Sequence, residues 1–309
     1  MSTPIQTKMN GDSEFHLNPI TLPTEPKLSA LVKRHPLIAY FILAFAGTWI
    51  TFLPVWLSPR GLGVLPFSLP DAASILLFIL ATFTGPTLAA FIVTAVESGR
   101  EGVWKFIRRY GQWRVGGQWY LLVLIGYPLV FVIGLNVALG VAPLTHLFQK
   151  LPLILSIYLP AVAMGLLISA LGEEPGWRGF ALPRLQTTYG PLLGSLILGA
   201  LHAAWHLPVY FVPGMMIAGP FDPIVFVANS CAIVAATFVW TWLFNNARGS
   251  ILFAMLIHSV SNASAAYVTQ LVPVLPDDPW GTAKLFGLCA LLVSIATRGH
   301  LSYKPDIIN

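Results

Sequence analysis

An all-α, polytopic membrane protein is the fold class this sequence predicts, and three observations predict it. Of the 309 residues, 56% are hydrophobic and only 9% are charged, whereas a soluble domain needs about 25% charged residues to coat its surface. Mean hydropathy is +0.75. Apolar stretches recur from Pro36 onward at lengths near the roughly 20 residues a helix needs to cross a bilayer, and none has the alternation of barrel strands. Backbone polar groups cannot go unpaired in lipid, so each stretch is expected to be helical. This composition excludes a soluble enzyme, a nucleic-acid binder and a disordered scaffold. The expected partner at this level is the lipid bilayer, with no nucleic acid.

Residues 1–35 are rich in Ser, Thr, Pro and charge and lack the apolar core of a signal peptide, so they read as an uncleaved, disordered cytoplasmic tail. Eight spans follow, at about 37–57, 73–96, 119–142, 152–180, 191–213, 222–245, 250–273 and 280–297. They make up a transmembrane helical domain over 36–298, and 299–309 form a second cytoplasmic tail. Cys231 and Cys289 fall inside apolar runs, where a thiol behaves as a small hydrophobe, so no disulfide framework is implied.

Lysine and arginine placement tests the span count, because a wrong count would scramble the parity of the loops. One side of the membrane receives Lys8, Lys27, Lys33 and Arg34, then Arg100, Lys105, Arg108, Arg109 and Arg114, then Arg178 and Arg184, Arg248, and finally Arg298 and Lys304. That is fourteen, against three on the other side: Arg60, Lys150 and Lys284. By the positive-inside rule both termini are cytoplasmic, in a cell inner or plasma membrane. Between the second and third spans, EGVWKFIRRYGQWRVGGQW mixes Arg and Lys with Trp and Phe at helical spacing, as an interfacial helix would. No internal repeat stands out, which argues against an inverted-repeat transporter.

Ionisable residues inside spanning helices are costly and are functional candidates by default. They concentrate in three places: GEEPGWRGF ends the fourth span with Glu173, Glu174 and Arg178; LHAAWHLP in the fifth holds His202 and His206; LIHSVSNAS in the seventh holds His258 and Asn262. Glu174 and Arg178 are four apart, with the acid first, the better order for a helical ion pair. This marks Glu174 as structural. Glu173 is turned about 100° away and is the freer carboxylate. His202 with His206, and His258 with Asn262, share helix faces in the same way. Pro175 removes a backbone donor beside the carboxylates and is expected to kink or loosen the helix there. At about 1.5 Å rise per residue, Glu173 lies ~16 Å from the Arg184 marker, His258 ~15 Å from the Arg248 marker, and His206 ~22 Å from the start of the fifth span, close enough in depth to meet in one cavity. Taken singly, His202 reads as a strut between helices and Asn262 as helix glue.

At these residues the sequence resembles the CPBP family of intramembrane proteases, which includes endopeptidases of prenylated CAAX proteins and the bacteriocin-processing and immunity (Abi) proteins. The family pattern joins Glu-Glu-x-x-x-Arg, aromatic-x-x-x-His and His-x-x-x-Asn/Asp. Glu173, Glu174 and Arg178 match the first, His206 the second, and His258 with Asn262 the third. The resemblance covers about 150–270, and the combination is specific although each motif alone is weak. His202 departs from the pattern, standing where an aromatic residue is usual. The resemblance implies a peptidase acting inside the membrane or at its cytoplasmic side, on membrane-associated peptides or proteins. In the expected scheme Glu173, aided by His206, activates water, while His258 and Asn262 hold the oxyanion. Glu174, Arg178 and His202 support them. No cofactor is required by this scheme; zinc held by Glu and His is the alternative, although HxxxH lacks the adjacent Glu of the HExxH signature. A noncatalytic immunity or scaffold protein and a proton-coupled transporter are the rival functions.

Overall fold

The computed structural model describes residues 27–139, 149–150, 152, 154–216, 219–268 and 278–305, and among these there is no strand. A short helix α1 (Lys27–Arg34) precedes the long α2 (Pro36–Trp56). Helix α3 covers 71–98, α4 covers 117–139, α5 covers 154–189 and α6 covers 191–205; α7 (Pro223–Asn246), α8 (Ile251–Val268) and α9 (Gly281–Ala296) complete the order. The eight expected spans thus correspond to α2 through α9. Five continuous helical stretches are long and apolar enough to cross a bilayer, and Ile251–Tyr267 and Gly281–Ala296 are apolar but shorter. The longest stretch, Ser156–Trp205, reverses at Gly190, whose φ of 77° is open to glycine at no steric cost. It therefore supplies both α5 and α6.

Prolines shape these helices. Pro128 and Pro175 have no N–H to give the carbonyls four residues back, Leu124 and Leu171, and wide π-type turns flank both prolines. Each released carbonyl is taken by another helix: Tyr158 Oη donates to Leu124 O at 3.0 Å, and Thr87 Oγ1 to Leu171 O at 3.0 Å. In lipid such substitutes are needed, since no water is available to satisfy the backbone. Helix α7 is opened instead by a cap, with the Asp222 carboxylate accepting from the backbone N–H of Ile224 and Val225. Helix α6 packs on α7, α7 on α9, and α8 on α4 and α5.

Four details depart from expectation. Residues 27–34 are helical rather than part of a disordered tail, because Leu28, Leu31 and Val32 recur at helical spacing and Val32 packs against the apolar cluster around Tyr40 and Phe106; residues 1–26 lie outside the described residues. The start of the second tail is also packed: Leu301 is fully buried, its carbonyl accepts from Asn245 Nδ2 at 2.8 Å, and the Tyr303 and Thr187 hydroxyls are hydrogen-bonded. The helix expected to follow the second span reaches only Arg108, after a break at Gly99 (φ 59°), and a single 3-10 turn over Arg109–Gly111 ends it. Finally, Arg178 is no topology marker. It is 1% exposed, inside the bundle, which reduces the charge split to thirteen against three.

Candidate active site

The π-type turn Pro175–Ala181 begins directly after Glu173 and Glu174, as the missing Pro175 donor requires. Two glycines, Gly172 just before the turn and Gly176 within it, let this segment press against its neighbours. A Cβ on Gly172 would meet Thr82 Oγ1 at 2.2 Å, and one on Gly176 would meet Pro86 O at 2.4 Å and Tyr40 Oη at 2.5 Å. Glu173, Glu174 and Arg178 are thereby carried into the interior, where they are 3%, 0% and 1% exposed.

The structure brings all seven residues of the three motifs together. Glu174 Oε1 accepts from Arg178 Nη1 at 3.0 Å and from His258 Nδ1 at 2.7 Å. Arg178 is further held by the Trp240 ring, 4.6 Å below its guanidinium carbon, and by Thr237 Oγ1, 3.5 Å from Nη2. The expected Glu174–Arg178 pair is present, and Glu174 also fixes the ring of His258. Such a fully desolvated ion pair is stable only because surrounding groups share its charges.

Glu173 faces a different space. It lines a cavity of about 280 Å³ with His202, His206, His258 and Asn262, whereas Glu174 does not. The cavity continues against the apolar side chains of Phe131, Ile233 and Phe286. Hydrogen bonding assigns the proton on each histidine around it. Arg178 Nη1 approaches His202 Nδ1 at 3.5 Å, and since a guanidinium can only donate, His202 presents a lone pair there. Its proton is on Nε2, donated to Glu173 Oε2 at 3.1 Å. His206 donates from Nδ1 to the His202 carbonyl at 2.9 Å, which leaves its Nε2 lone pair free. Asn262 Nδ2 donates to Ser169 Oγ at 3.5 Å and is the exposed member of the group.

Glu173, His202 and His206 offer three ligand atoms within 4.8 Å of one another. That spacing suits a metal ion. In the tautomer that directs the Nε2 proton of His202 at Glu173, two of these three, Glu173 and His206, present free lone pairs, and a catalytic zinc site takes three protein ligands.

Sequence reasoning missed the residues that brace this centre. The Trp240 ring lies tilted beside His258, with centroids 5.5 Å apart, and its Nε1 donates to Tyr127 Oη at 2.9 Å. Tyr127 in turn donates to Ser261 Oγ at 3.2 Å. The available signal was Thr237, Trp240 and Thr241 at helical spacing in the second half of a largely apolar span, a pattern easily read as interfacial.

Residues 155–264 match the family described as "Type II CAAX prenyl endopeptidase Rce1-like", and this interval contains every motif residue above. The chain is also 30% identical over 99 residues to "CAAX prenyl protease 2" of Methanococcus maripaludis. That alignment covers 31% of this chain and 36% of the relative, so the chain spans about a third of the curated relative it matches.

Proposed function

We propose, on a CPBP resemblance borne out over residues 155–264, that this protein is an intramembrane endopeptidase hydrolysing a peptide bond in a membrane-associated substrate. The observation that carries the reading is a buried carboxylate, Glu173, facing one cavity with His206, His258 and Asn262. In this reading His202 holds one Glu173 oxygen and leaves the other for water. Glu173 takes a proton from that water as its oxygen attacks the scissile carbonyl, and later delivers the proton to the leaving amine. The His206 Nε2 lone pair accepts a second hydrogen bond from the water and orients it. His258, as an imidazolium tied to Glu174 through Nδ1, donates from Nε2 to the oxyanion, and Asn262 Nδ2 joins it. Helix α8 sets both donors four residues apart on one face.

This scheme is metal-free. Its support is the proton assignment at His202, which faces Arg178 on one side and Glu173 on the other. We place the protein in the cell inner or plasma membrane with both termini cytoplasmic, supported by the thirteen-to-three distribution of Lys and Arg. The organisation is a transmembrane domain over 36–298 with its protease-like core at about 150–270. Prenylated CAAX termini, which the relative's name carries, are the first substrates to test.

The experiment is a comparison of membrane peptides by mass spectrometry, using the purified protein in lipid vesicles with Glu173→Gln as the blank. Peptide products that depend on Glu173 are expected. Substrate flux without cleavage would instead indicate a transporter, and unchanged function in Glu173→Gln would indicate a noncatalytic scaffold. Activity should survive chelation; stoichiometric zinc, with activity lost on chelation and regained on adding it back, would refute the metal-free scheme.

A further inference from the structure

A second cleft, of about 800 Å³, opens at the end of the bundle that carries the Arg- and Lys-rich loops. It shares no lining residue with the cavity of Glu173. Four cations reach it: Arg34 from the end of α1, Lys105 and Arg109 beyond the Gly99 break, and Arg184 from α5. Two of them are neutralised. Arg184 Nη2 pairs with Glu97 Oε2 at 2.8 Å, and Lys105 Nζ with Glu101 Oε1 at 2.7 Å. Arg109 donates only to backbone carbonyls, Gly179 O at 2.6 Å and Gly249 O at 2.9 Å. Arg34 and Arg109 therefore have no carboxylate partner among the described residues. Burial first, and then the charge of Arg184, pull Arg109 down to about 10, so it remains a cation at neutral pH beside a second one.

A third feature is independent of charge. Thr94 is 6% exposed, lines this cleft, and its Oγ1 has no hydrogen-bond partner. A buried hydroxyl left unmade is unfavourable, and here it borders the space the arginines face. The remaining wall is apolar: Leu37 and Ile38 line the cleft, with Ile38 59% exposed, and Leu31 of the adjoining α1 is 57% exposed. Unpaired arginines, an unsatisfied hydroxyl and an exposed apolar wall meet at the end of the spans, where a bilayer passes from headgroups to acyl chains.

We propose that this cleft binds the phosphate headgroup of an anionic phospholipid, with Arg34, Arg109 and Thr94 on the phosphate and the acyl chains along Leu37 and Ile38. Guanidinium groups suit phosphate oxygens geometrically as well as electrostatically. The apolar wall selects a lipid over a soluble phosphate, which has nothing to place there.

The test uses the full chain in neutral detergent, titrated with phosphatidylglycerol or phosphatidylcholine and read by native mass spectrometry. Phosphatidylglycerol should be retained preferentially. Arg34→Gln and Thr94→Val should each weaken its retention about fivefold. Neither residue braces the fold as Arg109 does, and Thr94→Val changes no charge. Arg108→Gln, which removes the same charge outside the cleft, should have no effect. Equal retention of the two lipids, or equal weakening by Arg108→Gln and Arg34→Gln, would reduce the effect to diffuse attraction and overturn the proposal. Inorganic phosphate alone should leave the unfolding temperature unchanged; a shift equal to that given by phosphatidylglycerol would make this a soluble-anion site and overturn the lipid assignment.

Discussion

Glu173 and Glu174 are adjacent in sequence and almost equally buried, yet they occupy different chemical regions. Glu174 is enclosed by Arg178 and His258, which share one of its oxygens, and it has no contact with the cavity. Glu173 accepts a hydrogen bond from His202 and borders open volume. One side is a closed ion cluster that fixes the geometry, and the other is a carboxylate with room for a reactant. Two acids at one depth can be separated into support and chemistry by 100° of helix rotation, provided that the arginine pairs with only one of them.

The change that should break the closed side most completely is Arg178→Ala. It leaves Glu174 buried without its cation, a loss of about 3–5 kcal/mol, and folded protein should largely disappear from membrane extracts analysed by size-exclusion chromatography. On the open side, His206→Ala should lower product formation by about 100-fold through loss of a group on the attacking water, with thermal unfolding little changed. A smaller effect is expected from His202→Phe, which cannot donate to Glu173 Oε2: about a tenfold loss in turnover, with the protein still folded. The smallest change sharpens the boundary between the two sides. Trp240→Phe keeps a ring beneath Arg178 but loses the bond to Tyr127, and should cost about 1 kcal/mol in unfolding measurements and only a few-fold in activity.

Much of this comparison is legible in the sequence. The Glu174–Arg178 spacing gives their pairing, and the same rotation gives the separation of Glu173. Apolar runs and prolines give the helices, because lipid leaves the backbone no alternative. What sequence spacing does not reach is contact between helices. The bond of His258 to Glu174 joins residues 84 positions apart, and no motif on either helix encodes it. His202 is the plainest instance: taken singly it reads as a strut between helices, but its Nε2 donates across 29 positions to Glu173. Trp240, Thr237 and Tyr127 were hidden for another reason, since aromatic and hydroxyl side chains are ordinary in spans and only their convergence on Arg178 and His258 gives them a role.

The division between the two carboxylates is tested most directly by assaying Glu173→Gln and Glu174→Gln side by side in the same lipid vesicles, measuring peptide product and thermal unfolding on each preparation. Glu173→Gln should unfold at the native temperature and form no product above the blank, while Glu174→Gln should unfold at a clearly lower temperature and retain measurable turnover in its folded fraction. A Glu174→Gln protein that is fully stable but inactive, beside a Glu173→Gln protein that still cleaves, would contradict the account and reverse the two roles.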